Sequence, residues 1–162
     1  MSPFCLAAPL ALAALSWTQM DGSPQENQPP VIQHDPQACA GAKARPRICG
    51  YVVDETGIAQ VRVNFRASGA RAHHWTPMTF DGALFCAWLP APLPETRSVE
   101  YYLEAVDDQF EPSRTEDYAL EVRSECPPPA QRPPQTPAVV GTTVANQPPS
   151  PPGFDPSTFT TR

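Results

Sequence analysis

The chain has 162 residues, 23 of them proline, and a formal net charge of −6 from 17 acidic and 11 basic side chains. That balance lacks the basic footprint of a nucleic-acid-binding protein. Once the apolar start and the proline-rich end are set aside, the remaining length supports one modest core but not the deep cleft of a large α/β enzyme.

Residues 4–17 (FCLAAPLALAALSW) form an uncharged apolar run. A spanning helix needs about 20 such residues, so the run predicts no stable membrane span. It suits the apolar region of a signal peptide, and Ala14-Leu15-Ser16 is a usable small-x-small cleavage site. The expectation is a signal peptide over residues 1–16, export to the periplasm, the cell surface or the medium, and a polar leader over residues 17–28. Removing Cys5 with the signal leaves Cys39, Cys49, Cys86 and Cys126. An even cysteine number in a short exported domain reads as disulfides, with three connectivities open. No Cys-x-x-Cys or Cys/His spacing suggests zinc.

Between residues 29 and 126 the chain reads as short strands separated by turns. Residues 30–34 (PVIQH) open the series, with proline acceptable at a strand start or edge. Residues 47–53 (RICGYVV) are the second strand, ended by an Asp54-Glu55-Thr56-Gly57 turn. Residues 58–67 (IAQVRVNFRA) are the third, with Val61, Val63 and Phe65 on one face and Arg62, Asn64 and Arg66 on the other. Residues 74–80 (HWTPMTF) are a fourth strand, interrupted by Pro77 and so placed at an edge. Asp81-Gly82 then turns the chain into a fifth, residues 83–89 (ALFCAWL). A proline-rich crossing leads to the clearest strand, residues 99–107 (VEYYLEAVD). There Val99, Tyr101, Leu103 and Ala105 alternate with Glu100, Tyr102 and Glu104. Residues 117–123 (DYALEVR) are the seventh.

Seven strands at roughly ten-residue spacing without a helical pattern predict an all-β, seven-stranded antiparallel sandwich. Its inward set is Ile48, Val52, Ile58, Val61, Val63, Phe65, Trp75, Met78, Phe85, Leu89, Val99, Tyr101, Leu103, Ala105, Tyr118, Leu120 and Val122. The tail after Cys126, residues 127–162, is rich in proline and is expected to be disordered and partly polyproline II. Phe154 and Phe159 are its only aromatics and offer a short docking motif.

The ordered run RICGYVVDETGIAQVRVNFRASG, WTPM, DGALFCAWLP and SVEYYLEAVDD resembles the exported bacterial immunoglobulin-like or fibronectin type III-like modules. Where those modules carry Gly-Asn after the last Asp, this chain has Asp107-Asp108-Gln109-Phe110. The resemblance implies a fold and an envelope setting, and no chemistry. It implies that Cys49 and Cys86 sit on neighbouring strands of one sheet, which allows a cross-strand bridge. It also implies that Cys39 and Cys126 end strands at a common pole, where a bridge would staple the termini. Its strand directions collect acidic turns at one pole and basic residues at the other.

Four aspartates of the acidic turns, Asp54, Asp81, Asp107 and Asp108, supply the oxygen ligands that calcium takes. Asp residues at such turns are equally explained by backbone capping. His73-His74 are adjacent on a strand and so point oppositely, a poor metal pair. Trp88 and Tyr102, read as outward-facing, are the candidates for carbohydrate stacking. No nucleophile elbow, phosphate loop, dinucleotide glycine pattern or zinc-protease motif is present in the sequence. The expected function is a non-catalytic exported adaptor or spacer that contacts an unidentified envelope or extracellular protein, without a cofactor. The alternative is a module binding carbohydrate through Trp88 and Tyr102, or calcium at the acidic pole.

Overall fold

A computed structural model of the protein describes residues 26–143 and 150–162. The expected signal peptide and most of the polar leader lie outside the described residues. The described chain is all-β apart from one short 3-10 turn, Pro156–Thr158.

Twelve strands are described: β1 Val31–Gln33, β2 Cys39–Gly41, β3 Arg47–Val53, β4 Ile58–Ala67, β5 His74–Pro77, β6 Thr79–Phe80, β7 Phe85–Trp88, β8 Ser98–Asp107, β9 Pro112–Arg114, β10 Tyr118–Arg123, β11 Ala138–Thr142 and β12 Phe159–Thr161. They form two sheets. The smaller has the order β1-β3-β7-β6 and is antiparallel throughout. The larger runs β12-β11-β5-β4-β8-β10-β2, with β9 on the edge of β8 beyond the end of β10. β2 lies parallel to β10, and β12 parallel to β11, so the larger sheet curls at both ends with short parallel strands. The architecture is compatible with a β-sandwich. It differs from the expected seven strands because edge segments and the tail add pairing that turn spacing alone does not announce.

β8 shows why the sheets hold. Its side chains alternate without a break, and Val99, Tyr101, Leu103 and Ala105 have no accessible surface. Fully burying a side chain such as Val99 or Leu103 is worth about 1.5–3 kcal/mol. Across the interior, Ile48, Val52 and Ala87 of the smaller sheet join Val61, Val63, Phe65, Leu103 and Leu120 of the larger in one cluster. The approach is close at Gly50. A Cβ there would lie 2.6 Å from Leu103 Cδ2, so any other residue would have to push that buried side chain aside.

The fourth expected strand divides. β5 pairs with β4, β6 pairs with β7, and the chain crosses between sheets at buried Met78, whose N–H donates to Val61 O at 2.9 Å. Pro77 ends the first half. Trp75, expected inside, lies on the outer face instead, while His74 and Thr76 point inward.

The tail also departs from expectation. Its described part packs on the body and extends the larger sheet. β11 pairs with β5 through Gly141 opposite Trp75 and Thr142 opposite His74. Ala138, Val140, Phe154 and Phe159 are buried members of the core. Thr76 Oγ1 donates to Val139 O at 2.6 Å, which explains a polar side chain facing inward on β5.

Candidate functional site

Two bridges cross-link the fold. Cys49 and Cys86 are directly opposite each other on β3 and β7, with Cα atoms 4.1 Å apart. Cys39 at the start of β2 bridges Cys126 just beyond β10, with Cα atoms 6.0 Å apart. The first faces outward from the smaller sheet, because Ile48 and Gly50 on either side of Cys49 face the core.

The outer face of the larger sheet is crowded and paired. Register places Trp75 of β5 and Tyr102 of β8 on either side of Asn64 of β4. Arg62 bonds Glu104 at 2.6 Å and Arg66 bonds Glu100 at 2.6 Å, each directly across the β4–β8 ladder. The Arg114 guanidinium lies 3.9 Å from the Tyr102 ring centre, and the His73 ring meets the same ring edge-on at 5.2 Å. Burial lowers the His73 pKa below the ordinary histidine value, and the Arg66 charge adds to the effect. Asn64 has no accessible surface, and neither its Oδ1 nor its Nδ2 has a hydrogen-bond partner. A buried amide in that condition carries a desolvation penalty of about 1–3 kcal/mol.

Trp88 is not part of this face. It stands opposite Arg47 on the smaller sheet, so Trp88 and Tyr102 lie on different sheets and form no common stacking platform. Trp75, expected inward, is the aromatic that shares the Tyr102 face. The missed signal is parity: Asn64 alternates with Val63 and Phe65, so whatever pairs beside it faces outward too.

The smaller sheet presents a different outer surface. Val31 is 55% exposed, Tyr51 47%, Val53 45% and Leu84 36%. Val31 and Val53 are directly opposite, as are Gln33 and Tyr51, which puts them on one face with the Cys49–Cys86 bridge. Gln33, His34, Asp35, Tyr51 and Leu84 line a shallow depression there. Beneath it, His34 Nδ1–H donates to Cys49 O at 2.7 Å and Nε2 accepts from the Tyr101 hydroxyl at 2.8 Å. A carbonyl only accepts, which sets the neutral tautomer. Burial lowers the His34 pKa, against smaller upward contributions from the Cys49 carbonyl and Asp35. Burial likewise raises that of Tyr101.

The four candidate aspartates are each engaged separately. Asp54 Oδ1 accepts from the Thr56 and Gly57 N–H groups and the Thr56 hydroxyl. Asp81 accepts from the Ala83 and Leu84 N–H groups and pairs with Arg47 at 2.8 Å. That ion pair joins the Asp81 turn to the first residue of β3. Asp107 accepts from Asn27 Nδ2 at 2.6 Å and from the Gln109 and Glu111 N–H groups. Burial pushes its pKa up, but these donors outweigh that and hold its carboxyl below the usual range. They also support Phe110 at a left-handed φ of 69°. Asp108 rests against Gly57, to whose carbonyl its own N–H donates at 3.1 Å. Among the described residues no group of three or more His, Cys, Asp or Glu side chains is placed to hold a metal ion. Among them also, no helix is long and apolar enough to cross a membrane.

No protein-family model and no curated protein matches the chain.

Proposed function

We propose that the chain is a non-catalytic exported contact module: an immunoglobulin- or fibronectin III-like β-sandwich that binds a partner protein through the outer face of its smaller sheet. The observation that carries this reading is the exposed set Val31, Tyr51 and Val53 on β1 and β3, with Leu84 before β7 lining the same depression as Tyr51, bordered by the Cys49–Cys86 bridge. Exposed apolar side chains grouped on one sheet face, unlike ones scattered singly, are the kind of surface that partners use. Two disulfides fit an oxidising compartment. The complementary partner is an envelope or extracellular protein with an apolar patch bordered by basic side chains, which would face Asp35 at the rim.

A photo-crosslinking side chain in place of Tyr51, with another in place of exposed Glu121 as control, tests it in the native extract. The expected result is a discrete adduct from position 51 and none from position 121. Equal adducts from both, or none from either, would remove the support.

A second reading rests on a separate observation. Trp75 and Tyr102 flank Asn64, whose amide is buried and unpaired. A sugar stacking on this face would meet that amide only where the side chains covering it move aside, since Asn64 has no accessible surface. Glycan-array binding lost on Tyr102→Ala but retained on Trp88→Ala supports it; absence of glycan binding by the parent protein rejects it.

A further inference from the structure

The tail is held by a seat that reads its sequence. Phe154 is buried and meets the Phe65 ring edge-on with centres 5.2 Å apart. The Gly153 carbonyl accepts from the Leu93 N–H at 2.9 Å and from Thr96 Oγ1 at 2.7 Å. Gly153 has a φ of 83°, and a Cβ there would lie 2.7 Å from Ala67 Cβ and 2.8 Å from Thr96 Oγ1. No other residue fits without displacing both walls. The Asp155 N–H donates to Ala91 O at 2.9 Å, and the Ala91 N–H donates to Thr158 Oγ1 at 3.0 Å. The backbone of Ala91, a residue with no accessible surface, is thus satisfied by the tail on both sides. A glycine that must be glycine, one buried aromatic anchor and a two-sided backbone pairing are the parts of a peptide-recognition site.

The connection to this seat is loose by comparison. Residues 127–137 hold six prolines, which cannot donate to a ladder. Arg45 is a side-chain contact from the body along this stretch, with Nη1 donating to Pro134 O at 3.1 Å and Thr136 O at 2.8 Å. Fully extended at about 3.1 Å per residue, the stretch spans about 34 Å, the width of a small domain. Its start is fixed to the body through the Cys39–Cys126 bridge. β12 pairs with β11 inside the tail itself, so the tail leaves or arrives as a unit. The seam to be exchanged consists of the β5–β11 pairing and the Phe154 seat.

We propose that this seat also accepts the C-terminal segment of a second copy of the chain, so that two copies exchange tails and close a symmetric dimer. Every contact of the seam is re-formed in the exchange, and the linker supplies the reach, so the exchange adds no unsatisfied group. This inference does not depend on the smaller sheet as a partner surface.

The test uses the full chain. Wild-type protein prepared in light and heavy isotopes is mixed, held at high concentration, and examined by light scattering and by cross-linking with mass spectrometry. The expected result is a dimer carrying mixed-isotope links between residues near Thr96 and residues near Phe154. Phe154→Ala and, as a milder variant, Thr96→Val weaken the seam alike in the closed monomer and in the exchanged dimer, so each should speed the appearance of mixed-isotope links at least tenfold while peptide mapping still finds both bridges. A fluorescent peptide of residues 150–162 should bind Phe154→Ala, whose own tail no longer fills the seat. The same peptide with Gly153→Ala should bind at least tenfold more weakly. Tyr51→Glu should dimerise like the parent, which separates this outcome from the partner-surface reading. A parent protein that stays monomeric at every concentration, or a dimer without mixed tail links, would overturn the proposal.

Discussion

The outer faces of the two sheets have been given opposite treatments. On the larger sheet the charged and aromatic side chains along the β4–β8 ladder meet one another: Arg62 with Glu104, Arg66 with Glu100, and Tyr102 between His73 and Arg114. On the smaller sheet Val31, Tyr51, Val53 and Leu84 stand in solvent. The smaller sheet is also the weaker by construction, since β1 has three residues and β6 only two. A sheet so short gains little from its own ladder, and the Cys49–Cys86 bridge supplies what pairing does not. The two faces divide their tasks: one closes on itself, and the other is kept firm and left open.

The largest expected effect breaks that firmness. Replacing Cys49 and Cys86 together by alanine should lower stability by about 2–4 kcal/mol in urea unfolding. Hydrogen exchange should rise in β1, β3 and β7 before it rises in β8. A uniform rise across both sheets would contradict the assignment of the bridge to the smaller sheet.

On the larger face the next effect has the opposite sign. Asn64→Leu replaces a buried amide with two unpaired polar atoms, and should raise stability by about 1–3 kcal/mol. If the same variant loses glycan binding, the amide is retained for a ligand; a destabilised variant would show that it has a partner in solution.

Acid sharpens the comparison through histidine. The His34 and His73 pKa values are both lowered in the folded protein. The unfolded chain therefore binds more protons, and stability should fall as pH drops below about 6.5 toward the lowered values. His34→Gln should flatten the pH dependence of the urea midpoint between pH 7 and pH 5. An unchanged slope would assign it to other groups.

The smallest effects are expected at the surface. A double-mutant cycle on Arg66 and Glu100, both about one-third exposed, should give a coupling of about 0.2–1 kcal/mol that declines with salt. Tyr51→Glu should change stability by no more than about 0.5 kcal/mol. A large loss there would show Tyr51 to be structural.

How far the chain could be read without coordinates follows from which forces are local. β8 was legible because its alternation is strict and its partner β4 alternates too, so Tyr101, Leu103, Val63 and Phe65 could be placed inside. Sheet neighbours of Cys49 and Cys86 followed from the resemblance. Trp75 was misplaced because β5 turns its polar residues inward, where β11 receives Thr76; that compensation lies more than 60 residues away. Trp88 and Tyr102 each face outward as read, but alternation within a strand does not say which sheet it joins. The tail was misread because prolines suggest disorder by composition, while Phe154 and Phe159 gain their burial only from the assembled body. The open face of the smaller sheet had a faint signal, in that Tyr51 and Val53 alternate with inward Gly50 and Val52.

Hydroxyl-radical footprinting bears most directly on the division between the two faces. Oxidation rates at Val31, Tyr51, Val53 and Leu84 are compared between the purified protein and the protein in its native extract, with Tyr102 and Trp75 as internal references. Protection in the extract is expected at the first four residues alone. Protection confined to Tyr102 and Trp75, or unchanged rates at all six, would contradict it.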